Sequence, residues 1–199
     1  MRTRGRAAAA LRVAAGFVLG LAFWLAFRAP YERFLAAAGQ AVARAFESPA
    51  VTRLSAESGE IVVARSDFPP AAARPGLPAA DLHFNFVLLA ALFALDRRPL
   101  ESARAAAFVQ AAAVLAAVHV AALCLQVRSV YATGLGDWSA ARYGAFARNA
   151  WSGGFHFYQI AGRFAAPFAI WWFFRRGEED EAGGRSNQPL RWRSRRRKR

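Results

Sequence analysis

The sequence predicts an all-α membrane protein with four transmembrane helices, a small extracytoplasmic amphipathic helix and a β-hairpin. Apolar residues make up 56% of the 199 and gather in blocks of about twenty, the length that crosses the hydrocarbon core of a bilayer. Lysines and arginines number 27 against 13 acidic residues, and ten of them follow Phe174, so the excess charge belongs mainly to a tail. These observations disfavour a soluble enzyme and a folded nucleic-acid-binding domain.

The first predicted span covers residues 7–27. Arg12 is its only charged residue, and its long stem allows the guanidinium to reach the interface. The apolar stretch exceeds the roughly 7–15 residues of a signal-peptide core, which favours an uncleaved anchor over a cleaved signal. Gly16 and Gly20 form a GxxxG pair that allows another helix to approach closely, so they are candidate partner-binding residues.

Three further spans are predicted at 82–95, 103–127 and 151–174. The second is short and crosses only if its helix stands upright or the bilayer thins locally. With the N-terminus inside, four crossings leave 16 of the 27 basic residues in cytoplasmic segments and 9 in outer segments, as the positive-inside rule requires. We therefore expect residues 1–175 to form a multi-pass domain of the bacterial inner membrane, with both termini in the cytoplasm and a disordered basic tail over 176–199.

The outer segment 28–81 is predicted to contain two small elements. Apolar residues recur at helical spacing over 31–46, which favours an amphipathic helix in the outer interface. Two β-prone stretches within 51–64 flank a turn-rich connector and predict a hairpin, which needs a surface to pack on. For the other outer connector, 128–150, anchoring of its aromatic residues at the bilayer surface is the preferred interpretation and a ligand site the alternative. Trp151, which follows it, is a candidate partner-binding residue.

Several polar side chains are expected at one depth near the outer face, where they form a candidate catalytic site. They are His83, Asn85, Cys124, Gln126, Arg128, His156 and Gln159. The candidate catalytic residues are Cys124, with His83 or His156 as base and Arg128 or the deeper Arg163 for the oxyanion. An imidazole would take the thiol proton, and a guanidinium would stabilise the developing oxyanion. A single cysteine in an apolar helix is more often a small buried hydrophobe. A membrane-embedded cysteine hydrolase or transpeptidase is therefore the alternative function, and a noncatalytic role is preferred.

Metal and cofactor binding are not expected. His83, His119 and His156 lie on three different predicted helices without a ligand spacing, and Asp81 adds a single carboxylate. One cysteine excludes an internal disulfide and a CxxC motif. The sequence also has no GxxxxGK[ST], GxSxG or HExxH motif.

Arg163 carries the most information of any single residue. It lies about eight residues inside the fourth span, which is roughly 12 Å at the helical rise. A charge at that depth costs on the order of a few kcal/mol unless it finds water, an acceptor or a partner. The candidate acceptors are Gln159, Gln110, Gln126, a carbonyl freed by Pro167, or a carboxylate of another protein. An internally hydrogen-bonded arginine and a partner-binding arginine, with Gln159 beside it, both stay open.

The order of these elements resembles the membrane proteins encoded alongside exosortase H. The resemblance rests on the anchor followed by 31–46, the hairpin stretch 51–64, the sequence LHFNFVLLAAL over 82–92, and FHFYQI at 155–160 followed by Pro167 and the Trp171-Trp172 pair. It implies an accessory role beside an exosortase, a membrane enzyme similar to a transpeptidase that processes sorting-tagged proteins.

Exosortases themselves are similar in carrying Cys, Arg and His near the outer face, in that chain order. Here His156 precedes Arg163, and Cys124 lacks the small-residue turn that would follow it. The resemblance thus implies a noncatalytic accessory protein whose partners are membrane lipid and an exosortase-like enzyme, with no nucleic acid.

Overall fold

The structure, a computed structural model, describes residues 2–68, 74–96 and 101–186, with side chains described over 6–68, 74–96 and 101–175. The described chain is mostly helical and carries one small antiparallel sheet of three strands. Two helices, Arg6–Ala45 and Ser102–Thr133, are long and apolar enough to cross a membrane, and Ala80–Phe93 is a shorter apolar helical segment.

The longest element, α1 (Arg2–Ala45), contains Pro30 and continues through it. The sequence predicted two helices here, 7–27 and 31–46, and the predicted break is wrong. A proline removes one backbone donor, which a helix tolerates when packing holds the turns on both sides. Leu35, on the far side of the proline, is fully buried. The outer part of α1 therefore extends the first helix instead of forming a separate one.

A three-stranded sheet packs on this outer part of α1. Its strands, in spatial order, are β1 (Thr52–Glu57), β2 (Glu60–Arg65) and β3 (Gly76–Pro78). The predicted hairpin over 51–64 is confirmed as β1 and β2. Its two-residue turn is Ser58-Gly59, where both residues have positive φ, as the twist of a tight hairpin requires. The edge strand β3 was not predicted, because three residues ending in proline give almost no strand signal.

The remaining described elements are all helical. They are α2 (Ala80–His83), α3 (Asn85–Phe93), α4 (Ser102–Thr133), α5 (Asp137–Arg142), α6 (Ala145–Phe157), a π-helical segment (Tyr158–Gly162) and α7 (Arg163–Ser186). The second predicted span falls on α2 and α3, the third on α4, and the fourth on α6, the π-helical segment and α7. Backbone helix extends to Ser186, past the predicted start of the tail at 176, and residues 187–199 lie outside the described residues.

Two buried apolar clusters stabilise this arrangement. The outer cluster joins the sheet to α1 and α4 through residues such as Leu35, Ile61 and Leu123. The inner cluster joins α3, α4 and α7 and contains Leu89, Phe93, Ala111, Leu115 and Ile170. The space between the two clusters contains the buried polar side chains of the molecule's candidate site.

Candidate functional site

A chain of hydrogen bonds joins four helices between the two apolar clusters. The Tyr31 hydroxyl of α1 lies 2.7 Å from His119 Nδ1 of α4. His119 Nε2 lies 2.7 Å from Asn85 Oδ1, and Asn85 Nδ2 donates to the Arg163 carbonyl oxygen at 2.8 Å. Because the amide nitrogen of Asn85 donates, its oxygen accepts from His119 Nε2–H, and Nδ1 accepts from Tyr31. The neutral His119 tautomer with its proton on Nε2 thus pairs the side-chain polar groups of Tyr31, His119 and Asn85 in this chain. We call Tyr31, His119 and Asn85, with the pair described next, the polar layer.

A second pair belongs to the same layer. Trp24 Nε1 donates to His83 Nδ1 at 2.8 Å, which leaves the proton of neutral His83 on Nε2. His83 Nε2 lies 3.6 Å from Glu32 Oε1, beyond hydrogen-bond distance, and both side chains are buried. The edge of the Tyr31 ring meets both His83 and His119, with ring centroids 5.4 and 5.9 Å apart. Tyr31 therefore fixes the two imidazoles relative to each other.

The sequence of α7 explains why a carbonyl is free to receive Asn85. In a regular helix the Arg163 carbonyl would accept from the backbone N–H of residue 167, but residue 167 is a proline without that donor. The Asn85 side chain occupies the unused acceptor. Pro167 does free a carbonyl, as the sequence suggested, but the group it serves is Asn85 and not a guanidinium.

Arg163 itself is only partly paired. Its Nη1 donates to Gln159 Oε1 at 3.3 Å and lies 3.8 Å from Asp81 Oδ1. The predicted contact with Gln159 is confirmed, whereas Asp81 was not considered as a partner because it lies one residue before the predicted second span. Arg163 Nε is buried without a hydrogen-bond partner in the part of the chain that the structure describes. The guanidinium also lies 4.8 Å from the centroid of the Phe164 ring.

Beside Arg163 a cavity of about 590 Å³ opens between α1, the α2–α3 segment and α7. It is lined by Phe17, Ala80, Asp81, Phe84, Asn85, Leu88, Arg163 and Phe164. Its walls are mainly apolar, and its few polar groups converge at one end. This composition is typical of a binding site whose orientation is set by a small number of charged or amide groups.

The proposed cysteine site is not assembled by hydrogen bonds. Cys124 Sγ lies 3.8 Å from the Gly39 carbonyl, and none of the described hydrogen bonds joins the thiol to a histidine. His83 bonds to Trp24, whereas His156 bonds to the Ser152 carbonyl within α6 at 2.7 Å and is exposed. Arg128 follows Cys124 by one turn of α4. The structure thus gives the thiol no neighbouring base by direct contact.

Three further candidate residues have clear positions. Gly16 packs against Ala94 of α3, and a Cβ added at Gly20 would lie 2.9 Å from the Ala90 Cβ. The GxxxG pair therefore brings α1 and α3 of the same chain together. Trp151 is 37% exposed on α6, a helix that buries none of its side chains.

A second polar group, which we call the aromatic–carboxylate cluster, lies on the sheet. It contains Glu47, Thr52, Arg65, Asp67, Tyr131 and Trp138. Thr52 Oγ1 donates to Glu47 at 2.5 Å and lies 2.8 Å from the Tyr131 hydroxyl, which therefore donates. Arg65 pairs with Glu47 at 3.0 Å and with Asp67 at 2.8 Å. The hydrogen bond from Arg65 lowers the pKa of Asp67 below its ordinary value. Sequence reasoning missed this cluster, whose members lie up to 91 residues apart in the chain.

Among the described residues, no group of three or more His, Cys, Asp and Glu side chains is arranged to hold a metal ion. Comparisons of the chain with known protein families, with curated proteins and with solved structures give no match. Function is therefore argued from the geometry and from the layout of the sequence.

Proposed function

We propose that this chain is a four-span protein of the bacterial inner membrane that acts without catalysis as the partner of an exosortase-type sorting enzyme. The observation that carries the proposal is Arg163. It is a permanently charged side chain in an apolar segment, it lines a cavity, and its Nε lacks a hydrogen-bond acceptor among the described residues.

The distribution of apolar surface supports insertion into lipid. Leu19 of α1 is 70% exposed, Phe173 of α7 is 73% exposed, and Val109 of α4 is 66% exposed. The polar layer, in contrast, is turned inward, where His83 and His119 are each 1% exposed. Apolar side chains outside and hydrogen-bonded polar groups inside are the arrangement that a hydrocarbon solvent favours.

The short α2–α3 segment is the critical crossing. Its 14 residues span roughly 21 Å against about 30 Å of hydrocarbon core. It runs antiparallel to α1, with His83 beside Trp24 and Ala94 beside Gly16. This packing, with local thinning of the bilayer, supports a return crossing. An even number of crossings also keeps the basic C-terminal stretch in the cytoplasm, as its charge favours.

The state of the titratable groups supports a noncatalytic role. The imidazoles of His83 and His119 are engaged by Trp24, Tyr31 and Asn85, so they act in joining helices. Cys124 has a backbone carbonyl as its hydrogen-bond acceptor, and among the described residues its thiol has no hydrogen bond to a histidine. A thiol in such surroundings behaves as a small apolar side chain.

The Arg163 cavity supports contact with another membrane protein. Its apolar walls suit the side chains of a transmembrane helix, and the free donor of Arg163 suits an acceptor on that helix. The identification of the partner as an exosortase rests on the family resemblance in the layout of the sequence.

Site-specific photocrosslinking in cells that express both proteins tests the proposal. A photoreactive residue at Leu88 or Phe164, which line the cavity, is expected to crosslink to the exosortase. The same residue at Val109, which is exposed on α4, a helix that does not line the cavity, serves as the control. Crosslinking at Leu88 that is no stronger than at Val109 would contradict the proposal.

A charge series at Arg163 provides a second readout. Arg163→Gln is expected to reduce co-purification of the enzyme at least tenfold, because the desolvated charge is lost from the contact. Arg163→Lys should retain part of it, and Arg53→Gln, an exposed position on β1, should leave it unchanged. Equal co-purification with the wild-type chain and with the Arg163→Gln variant would exclude Arg163 as the contact.

A further inference from the structure

An apolar groove runs along the inner half of the molecule, separate from the Arg163 cavity. Its floor is α3, and its walls are α1 and α4. The groove has a volume of about 570 Å³, within the roughly 300–1,000 Å³ of ligand sites in proteins. Small residues, such as Gly16, Ala90 and Ala94, leave the space of the groove open, and Phe23 and Phe108 form its sides.

One charged residue lines this groove. Arg12 lies at the end nearer the N-terminus of α1, and its Nε is buried without a hydrogen-bond partner among the described residues. With the proposed orientation, that end faces the cytoplasmic leaflet. A guanidinium beside an apolar channel is complementary to a ligand with an anionic head and an apolar chain.

The length and lining of the groove suit an acyl chain. From Arg12 to Phe23 the lining covers eleven helical steps, or about 16 Å, which is roughly half of the 30 Å hydrocarbon core and therefore one leaflet. Apart from Arg12 at one end, the residues that line the groove are apolar or glycine. An acyl chain with an anionic head matches this length and this placement of a single charge.

We infer that the groove between α1, α3 and α4 binds an anionic phospholipid of the cytoplasmic leaflet, with an acyl chain along α3 and the phosphate paired with Arg12. The inference rests on the membrane insertion in the proposed function, but it does not depend on the exosortase. Because the lipid contacts three helices at once, its occupancy would stabilise the packing of the short α3 against α1 and α4.

Native mass spectrometry of the full-length protein in detergent tests the inference, with phosphatidylglycerol and phosphatidylcholine of identical chains added in equal amounts. We expect the wild-type protein to retain phosphatidylglycerol at least fivefold over phosphatidylcholine. Arg12→Gln should bring the ratio close to one, whereas Arg12→Lys should keep a preference. Ala105→Trp, which fills the exposed wall of the groove on α4, should lower retention of both lipids.

Arg6→Gln is the matched control, because Arg6 is an exposed arginine of the same helix that does not line the groove. An equal loss of selectivity in Arg6→Gln and Arg12→Gln would overturn the inference, since it would reveal diffuse attraction to basic residues. Full selectivity in Arg12→Gln, or retention of lipid in Ala105→Trp, would also overturn it. A wild-type protein that stays dissolved without detergent would instead refute the membrane insertion itself.

Discussion

The polar layer and the aromatic–carboxylate cluster both pair buried polar groups, but they do so with different kinds of partner. Both attach α4 to another element through a tyrosine: Tyr31 joins α1 to α4 in the layer, and Tyr131 joins α4 to β1 in the cluster. In the layer the partners of the hydroxyl chain are neutral imidazole and amide groups. In the cluster the Tyr131 hydroxyl donates to Thr52, Thr52 donates to the Glu47 carboxylate, and Arg65 pairs with that carboxylate.

The two regions differ in how their buried polar groups are paired. Charged partners strengthen a hydrogen bond but are expensive to desolvate, and in the cluster Arg65 pairs with both the buried Glu47 carboxylate and the partly exposed Asp67 carboxylate. In the layer the neutral chain from Tyr31 through His119 to Asn85 is fully paired, whereas His83 Nε2 has no hydrogen-bond partner among the described residues. Loss of a partner is therefore expected to be costlier in the layer than in the cluster.

Asn85→Leu gives the largest expected effect. It leaves His119 Nε2–H and the Arg163 carbonyl without partners, and each unsatisfied buried group costs about 1–3 kcal/mol. We expect the free energy of unfolding in detergent to fall by roughly 3 kcal/mol. Thermal unfolding followed by circular dichroism measures the change. The control is Asn149→Leu on α6, an exposed position that should change stability little. Equal stability of Asn85→Leu and wild type would contradict a stabilising role for the polar layer.

Tyr131→Phe should have a smaller effect. It removes the hydroxyl from Thr52 but leaves Thr52 bonded to Glu47, so no buried group is stranded. The expected loss is about 1 kcal/mol in the same assay. A loss larger than that of Asn85→Leu would invert the predicted order of the two regions.

The aromatic–carboxylate cluster should also respond to pH. The pKa of Asp67 is lowered in the folded protein, mainly by the hydrogen bond from Arg65, so its ionised form contributes stability above the unfolded pKa of about 3.9. That contribution is lost as pH falls through the lowered folded pKa. For a pair at the surface we expect at most about 1 kcal/mol.

The measurement is the difference in melting temperature between wild type and Asp67→Asn from pH 7 to pH 3. We expect wild type to be the more stable at pH 7, with the gap narrowing below about pH 4. A difference in melting temperature that is constant down to pH 3 would exclude the Arg65–Asp67 ion pair as the cause of that difference.

The smallest expected effect is that of Cys124→Ala. The thiol makes one long hydrogen bond to the Gly39 carbonyl, so its removal should change stability by less than about 1 kcal/mol and leave co-purification with the proposed partner unchanged. Loss of the proposed sorting function in a variant that stays folded would favour the cysteine enzyme instead.

Sequence patterns predicted the elements better than their contacts. Periodicity and turn residues located the hairpin, because Ser58 and Gly59 lie between two β-prone stretches. Separate helices were predicted over 7–27 and 31–46, but α1 continues through Pro30, where packing holds the turns on both sides. His119 is a polar residue within an apolar helix and therefore needs a hydrogen-bond partner. Its partner Tyr31 lies 88 residues away in the chain, and no local sequence pattern identifies it. Depth in the bilayer predicted that Cys124 and His156 would lie near His83, but Cys124 contacts the Gly39 carbonyl and His156 bonds within its own helix.

The direct test of the central claim is the side of the membrane on which the sheet and the end of α7 lie. In a Cys124→Ala background, Ser55→Cys on β1 and Ser186→Cys at the end of α7 are each exposed to a membrane-impermeant maleimide in intact spheroplasts. Four crossings predict that Ser55→Cys is labelled at once and that Ser186→Cys is labelled only after lysis. Labelling of Ser186→Cys before lysis would contradict the account.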